Sequence, residues 1–210
     1  MFFLLAGPNG AGKSTLYRSA LEQGLLPAQA EFINADLYES QHLTHVADAN
    51  ERSRLARQWA DARRHQCLKA GHTFVSETVF SHPSKLDLIR QARAAGFAVV
   101  LLVVCVNDPK QLLQRVAGRV SEGGHDVPAE RILARYPRTL AHLREASPLA
   151  DLALLYDTSG AGRAGVAGPK LVARWSGGQW HWQVTRPPLW AKGLEPLRGD
   201  EGAEGRGLNL

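Results

Sequence analysis

The sequence predicts an α/β fold: a central parallel sheet flanked by helices, with an arginine-bearing helical lid and a C-terminal β-hairpin. Three observations predict it. Short apolar runs alternate with helix-length amphipathic segments through residue 156, the pattern of a parallel sheet built from β-α units. The run from Phe97 to Val106 (FAVVLLVVCV) is unbroken and rich in β-branched residues, as a strand buried on both faces must be. The first apolar run ends in a glycine-rich turn that opens a helix.

The elements follow in order. Met1 to Ala6 reads as a buried strand ending at Gly-Pro-Asn-Gly. Lys13 to Gln23 is helical, with Gly24 placed to close it. Glu31 to Ala35 (EFINA) is a second strand, Thr44 to Ala70 one long Arg-rich helix, and Thr73 to Ser76 a third strand. Pro83 opens a helix to about Ala95, closed by Gly96. After the strand at 97–106 come helices at about 109–120 and 128–144, then a strand from Asp151 to Tyr156. Thr158 to Gly168 is a Gly- and Ala-rich loop. Lys170 to Trp175 and Gln179 to Val184 alternate apolar and polar around Ser176-Gly177-Gly178, which reads as a hairpin. Trp175, Trp180, Trp182 and Trp190 all fall in this last part, placed to pack the hairpin on the main body or to stack on bases. The division is then a core at 1–157 with its lid at about 109–144, a loop and hairpin at 158–192 packed on that core, and a flexible tail at 193–210.

The composition is that of an ordinary globular chain: 210 residues, 44% hydrophobic and 21% charged. This excludes disordered, collagen-like and coiled-coil classes. No apolar run approaches the roughly 20 residues of a membrane span, and Phe2 to Ala6 is too short for a signal peptide. A cytoplasmic protein with no membrane contact is expected. Cys67 and Cys105 lack the spacing of a metal site or disulfide framework. The net charge of +5 favours anionic partners such as nucleotides, nucleotide sugars or nucleic acid, though a merely solvated basic surface has the same charge.

The decisive motif is Gly7-Pro8-Asn9-Gly10-Ala11-Gly12-Lys13-Ser14-Thr15. It matches G-x-x-x-x-G-K-[ST] in full between a strand and a helix. The glycines let backbone N–H groups turn inward around phosphate oxygens, and the helix N-terminus adds its positive end. Lys13 supplies a mobile charge to the β- and γ-phosphates, and Ser14 a hydroxyl ligand for Mg²⁺. ATP with Mg²⁺ is therefore the expected nucleotide. The string also resembles the phosphate loop of ABC-type transport ATPases, and Ser176-Gly177-Gly178-Gln179 mimics part of their signature. There the signature opens a helix; here Trp180 to Val184 reads as strand, and no strand ending in Asp-Glu follows the loop.

Two acidic residues fall at successive strand ends. Asp36 stands just past the second strand, where a carboxylate can take a hydroxyl proton and aim the oxygen at a γ-phosphate, or can cap the next helix. Glu77, followed by Thr78, stands at the end of the third, placed to bind acceptor hydroxyls or hold the Mg²⁺ water shell, or again to cap locally. Further on, Arg115 and Arg119 share a helix face, Gly123-Gly124 breaks the chain before His125, and Arg131, Arg135 and Arg138 follow. Two helices about a hinge, carrying cations over a transferring phosphate, read as a lid.

Taken together, GPNGAGKST, FINAD, SETVF, the long apolar strand, RVAGRVSEGGHDVP, ERILARYPRTLAHL and LLYDTSG resemble the zeta-toxin family of P-loop kinases over residues 1 to about 160. The resemblance implies a five-stranded parallel core and ATP-dependent phosphorylation of a sugar hydroxyl, with UDP-N-acetylglucosamine the first-choice acceptor. It implies that Asp36 is the catalytic base, Lys13 the phosphate-binding lysine, and Glu77 and Thr78 part of the acceptor motif. Arg115 falls near the first lid arginine, and Arg119 or Arg135 takes the place of the second. A separate antitoxin protein is the implied partner. Other acceptors stay open: a nucleoside, another metabolite or a polynucleotide 5′ end. So does a nucleotide-gated interaction module that transfers nothing.

Overall fold

The computed structural model describes residues 1–121, 127–160 and 168–195. Gly123, Gly124, His125, most of the loop after Gly160 and the tail beyond 195 lie outside the described residues.

Five strands run parallel: β1 (Phe2–Ala6), β2 (Glu31–Ile33), β3 (Phe74–Thr78), β4 (Val99–Cys105) and β5 (Leu152–Asp157). Two more, β6 (Lys170–Ser176) and β7 (Gln179–Trp182), continue the sheet antiparallel, in the order β2-β3-β1-β4-β5-β6-β7. The helices are α1 (Lys13–Glu22), α2 (Ala35–His42), α3 (Ala49–Ala70), α4 (Ser84–Ala94), α5 (Pro109–Ser121), α6 (Ala129–Ala146) and α7 (Leu189–Lys192).

Side-chain alternation along the strands splits the core into two layers. Phe2, Leu4, Phe74, Leu101 and Val103 face one side, where α3, α4 and the end of α6 contribute Ala60, Ile89 and Leu143. Phe3, Leu5, Val75, Leu102 and Val104 face the other, against Leu16 of α1, Leu112 of α5 and Ile132. Every residue of β4 is buried, which is why its sequence shows no polar alternation.

The chain leaves β1 toward one edge of the sheet and leaves β3 toward the other, so the strand order reverses beside β1. Open parallel sheets bind ligands at the carboxyl ends of strands at such a point. The loops after β1 and β3 are joined there by the Gly7 amide, which donates to the Thr78 carbonyl at 3.3 Å.

Three local expectations change. The long helix expected over 44–70 is a single helix that starts later, α3 beginning only at Ala49, where Asp48 Oδ1 accepts from the Glu51 amide at 2.7 Å, and a separate helix, α2, precedes it and ends at His42. Asp48-Ala-Asn-Glu51 has the spacing of a helix start, a local signal that Arg-rich periodicity masks. Second, β2 stops at Ile33, so Asp36 lies inside the first turn of α2. Third, β3 runs to Thr78, which places Glu77 within the strand.

In the hairpin, Gly177 and Gly178 both have positive φ (60° and 81°) between the paired Ser176 and Gln179, the geometry of a tight two-residue turn. Its Ser-Gly-Gly-Gln is thus a turn and opens no helix. Trp175, Trp180 and Trp182 lie against the α3–α4 side of the core, and Trp190 is buried with Nε1 donating to Asp157 Oδ1 at 2.8 Å.

Burial pushes the Cys105 thiol up to about 12, and burial likewise raises the Tyr136 hydroxyl. The folded state therefore holds protons that the unfolded chain releases at lower pH. Stability is full below the ordinary thiol value of 9.0 and falls as pH rises from there toward 12. Cys105 alone contributes a slope of roughly 1.4 kcal/mol per pH unit in that window. Urea midpoints measured from pH 8 to 11 should fall, and should fall less steeply in Cys105→Ala.

Candidate functional site

The loop after β1 approaches its neighbours too closely for side chains at two glycines. A Cβ on Gly7 would lie 2.1 Å from the Val104 carbonyl oxygen, and one on Gly10 2.8 Å from that of Leu112. Gly12 enters α1 in the left-handed region (φ 98°), where no side chain caps the helix and no acidic residue stands in the first turn. The amides of that first turn are left to an anion. Ser14 and Thr15 are exposed there, so the Ser14 hydroxyl suits a Mg²⁺ that takes most of its ligands from phosphate and water. Among the described residues no group of three or more His, Cys, Asp or Glu is placed to hold a metal ion.

Lys13 is buried, its Nζ donating to the Pro8 carbonyl at 3.2 Å and lying 3.5 Å from Glu77 Oε1. The other Glu77 oxygen, Oε2, accepts from Asn34 Nδ2 at 2.9 Å, and Asn34 Oδ1 caps α2 through the Leu37 amide at 3.1 Å. One carboxylate therefore ties the phosphate-loop lysine to the start of α2. Asn34→Ala removes both the cap and the Glu77 bond. It should cost about 1–2 kcal/mol, read as a lowered denaturation midpoint.

These residues open onto a cavity of about 480 Å³ at the carboxyl ends of the strands. Lys13, Asn34, Asp36, Glu77, Thr78 and Arg135 all line it. Asp36 is exposed at its mouth and has no hydrogen-bond or ion-pair partner among the described residues. The helix cap is Asn34, so local capping does not account for Asp36. Asn9 is 7% exposed and also lines the cavity, and its buried Oδ1 is unpartnered, which leaves a polar atom for a bound molecule. Arg64, 5% exposed, donates to Ser76 Oγ at 2.7 Å and Asp61 Oδ1 at 2.6 Å. Burial lowers its pKa against the pull of Asp61.

Beyond Thr78 the cavity wall is strained. Phe80 is fully buried at φ 65°, a costly backbone for an aromatic residue. It is held by its own amide donating to Thr78 Oγ1 at 3.2 Å, while Thr139 Oγ1 donates to the Val79 carbonyl at 3.1 Å. Helix α6 thus straps down the loop that follows β3.

The expected lid arginines divide. Arg135 lies in the cavity, where burial and the charges of Arg131, Arg138 and Arg57 lower its pKa against Asp36. Arg115 reaches the phosphate loop from behind: its guanidinium donates to the Thr158 carbonyl at 2.6 Å and hydroxyl at 3.0 Å, and Thr158 Oγ1 donates to the Ala11 carbonyl at 2.8 Å. Arg119 is exposed on α5. Neither of these two lines the cavity.

The profile of a family described as an AAA domain (AAA_33) matches residues 2–139, the stretch that holds the phosphate loop, Asp36, Glu77 and Arg135. The chain belongs to this AAA domain family. The sequence matches no curated protein. Among solved structures, this AAA domain chain is similar to one in the AvrRxo1-ORF1:AvrRxo1-ORF2 complex with sulphate ions, with a TM-score of 0.67 at 19% identity over 93% of this chain and 63% of that one. The same complex solved with ATP gives 0.64 at 20% identity over 87% and 60%. A chain of the PezAT chromosomal toxin–antitoxin system of Streptococcus pneumoniae gives 0.57 at 17% identity over 80% and 70%. At these identities the likeness is one of fold alone, an α/β fold with a mostly parallel central sheet flanked by helices. The chain spans less than two thirds of the AvrRxo1 chains it matches. No helix among its described residues is long and apolar enough to cross a membrane.

Sequence reasoning missed Asn34, Arg57, Arg64 and Lys85, all cavity residues. A signal existed for two of them: Ser53, Arg57, Asp61 and Arg64 recur at helical spacing on one face of α3.

Proposed function

We propose that this chain is a kinase that transfers the γ-phosphate of ATP to a hydroxyl of a small acceptor, with a nucleotide sugar such as UDP-N-acetylglucosamine as the first acceptor to try. The observation that carries the reading is that an unpartnered carboxylate, Asp36, and the phosphate-loop lysine, Lys13, line one cavity. In the proposed reaction the loop amides and Lys13 hold the β- and γ-phosphates, and Ser14 holds Mg²⁺. When bound, Mg²⁺ neutralises charge on the phosphate oxygens. Asp36 takes the acceptor's hydroxyl proton as the oxygen bonds to the γ-phosphorus. The bond from that phosphorus to the bridging oxygen breaks, and ADP leaves. Glu77 and Thr78 orient the acceptor, and Arg135 offsets charge on the transferred group. Arg115 keeps the loop's carbonyls turned away from the nucleotide through Thr158, a positioning role.

Support for ATP comes from the loop itself and from the similar complex solved with ATP. Support for a separate antitoxin partner comes from the similar toxin–antitoxin system. The nucleotide sugar rests on the family resemblance and on the cations of the cavity.

The test is incubation with labelled ATP and either UDP-N-acetylglucosamine or a metabolite extract, followed by mass spectrometry. A new phosphorylated species that depends on the protein is expected. Lys13→Ala should lower its rate roughly 10²–10³-fold. ATP binding with no acceptor phosphorylated would turn the reading into that of a nucleotide-gated module.

A further inference from the structure

Beyond residue 139, where the family match ends, the chain closes a circuit of hydrogen bonds behind the phosphate loop. Trp190 of α7 is 3% exposed and donates twice. Its indole N–H reaches Oδ1 of Asp157, the last residue of β5, at 2.8 Å. Its amide reaches Oδ1 of Asn107, just past β4, at 3.2 Å. Ser159 joins those two residues. Its hydroxyl donates to Asp157 Oδ1 at 2.9 Å and accepts from the Asn107 amide at 3.0 Å, while its own amide donates to Asp157 Oδ2 at 3.1 Å. Trp190, Asp157, Ser159 and Asn107 thus staple the loop after β5 to the loop after β4.

Thr158 sits between two members of that circuit, and its own bonds run the other way. It is 4% exposed, and its amide donates to the Cys105 carbonyl at 3.0 Å. Its hydroxyl donates to the Ala11 carbonyl at 2.8 Å. Arg115, bound to both Thr158 oxygens, also reaches the Gly10 carbonyl at 3.5 Å. Two consecutive carbonyls of the phosphate loop are therefore held from behind by groups whose place depends on Thr158. An anion-binding loop needs this, because its amides must face the ligand and its carbonyls must face away. Asp157 and Ser159 fix Thr158 from either side, and Trp190 fixes Asp157. A fully satisfied polar network is rigid, and a loop already held in its bound shape loses less freedom when the ligand arrives. We propose that Trp190 is a positioning residue for the nucleotide: through Asp157 and Thr158 it keeps the phosphate loop in its anion-binding shape, so that the docked C-terminal segment sets the affinity for ATP. The coupling is independent of the acceptor and rests on the reading of residues 7–15 as a nucleotide site.

The test titrates the full chain with the β,γ-imido analogue of ATP and Mg²⁺ by calorimetry. Trp190→Phe keeps an aromatic ring in place and removes the indole donor. Its Kd for the analogue is expected to rise at least about fivefold, the lower end of ordinary coupling between sites. Asp157→Ala should do the same, and Asp157→Asn, which keeps an acceptor oxygen for the indole, should recover part of the loss. Asn107→Ala, at an exposed position, opens the same circuit and should also weaken binding, which keeps the test decisive if Trp190→Phe does not fold. Trp182→Phe is the control. It removes an indole N–H that donates to another carboxylate of the same segment, Glu195 Oε1 at 3.1 Å, and should bind the analogue as the parent does. A circuit that merely fastened α7 to the body would lower the melting temperature of Trp190→Phe and leave its Kd unchanged; that result overturns the proposal. So does an equal rise in Trp182→Phe, which would report a general loosening of the C-terminal segment. Linkage supplies a second readout, since what Trp190 does for the nucleotide the nucleotide must do for Trp190. Exchange of the Trp190 indole proton should slow when the parent is saturated with the analogue, and unchanged exchange overturns the coupling. The two readings fail separately. No binding of the analogue to the parent chain overturns the nucleotide site and the coupling with it. Parent binding matched by Trp190→Phe and Asn107→Ala leaves the site and overturns the coupling alone.

Discussion

Asp36→Asn is expected to lower kcat for phosphoryl transfer roughly 10²–10⁴-fold, the range in which a positioned general base acts, while ATP binding stays close to that of the parent chain. The structure makes this substitution informative. Asn34 caps α2, so Asp36 carries no cap to lose. Its only local contribution is a negative charge in the first turn of α2, worth about 0.3–1 kcal/mol to the helix. A loss of activity by Asp36→Asn with a melting temperature within a few degrees of the parent would therefore report chemistry. Asparagine keeps the shape and one acceptor oxygen but cannot take the proton. Asp36→Glu keeps the proton site and moves it by one methylene, so partial recovery is expected there. Retention of full transfer by Asp36→Asn would remove this carboxylate from the mechanism and turn attention to Glu77. Glu77 is already engaged by Lys13 and Asn34.

The second large effect is structural. Gly7→Ala should destabilise the fold by about 3 kcal/mol or more, the cost of severe overpacking. That corresponds to a fall in Tm of roughly 6–12 °C for a chain of this size. The added Cβ would lie 2.1 Å from the Val104 carbonyl oxygen and 3.2 Å from its carbon. Val104 cannot give way, because β4 is paired with β1 on one side and β5 on the other and is buried along its whole length. Gly12→Ala is the contrast. Its Cβ meets only a Thr158 methyl at 3.7 Å, so the penalty is the left-handed backbone alone, roughly 1–2 kcal/mol. Thermal unfolding of the two variants in parallel separates steric overlap from backbone strain. Equal midpoints would mean that β4 shifts to admit the alanine.

The parts of the molecule legible in the sequence share one property: their signal is local. The phosphate loop is a contiguous string whose glycines serve backbone geometry. The β4 run is apolar because both faces of that strand are covered. Gly177-Gly178 announces a hairpin turn. The parts that were missed depend on neighbours distant along the chain. Asp36 was legible as a carboxylate near a strand end, but its freedom from capping depends on Asn34, and Asn34 is held by Glu77, far along the chain on β3. Arg115 carried the same sequence signal as Arg135. Packing sent Arg115 behind the loop to Thr158 and Arg135 into the cavity, and helical spacing cannot distinguish those fates. The helix start at Asp48 was a local signal that a stronger periodicity obscured.

By itself, then, the sequence determined the alternation of strands and helices, the glycine-rich turn after β1 and the presence of acidic residues near the ends of the second and third strands. Those follow from hydrophobic periodicity and from backbone conformations that only certain residues adopt. The tertiary structure alone decided which charges meet: Lys13 with Glu77, Arg64 with Asp61 and Ser76, and Arg57 with the arginines of α6 around one cavity. Electrostatic interaction depends on distance in space, and the strand crossovers that set those distances leave no mark on the residues they bring together.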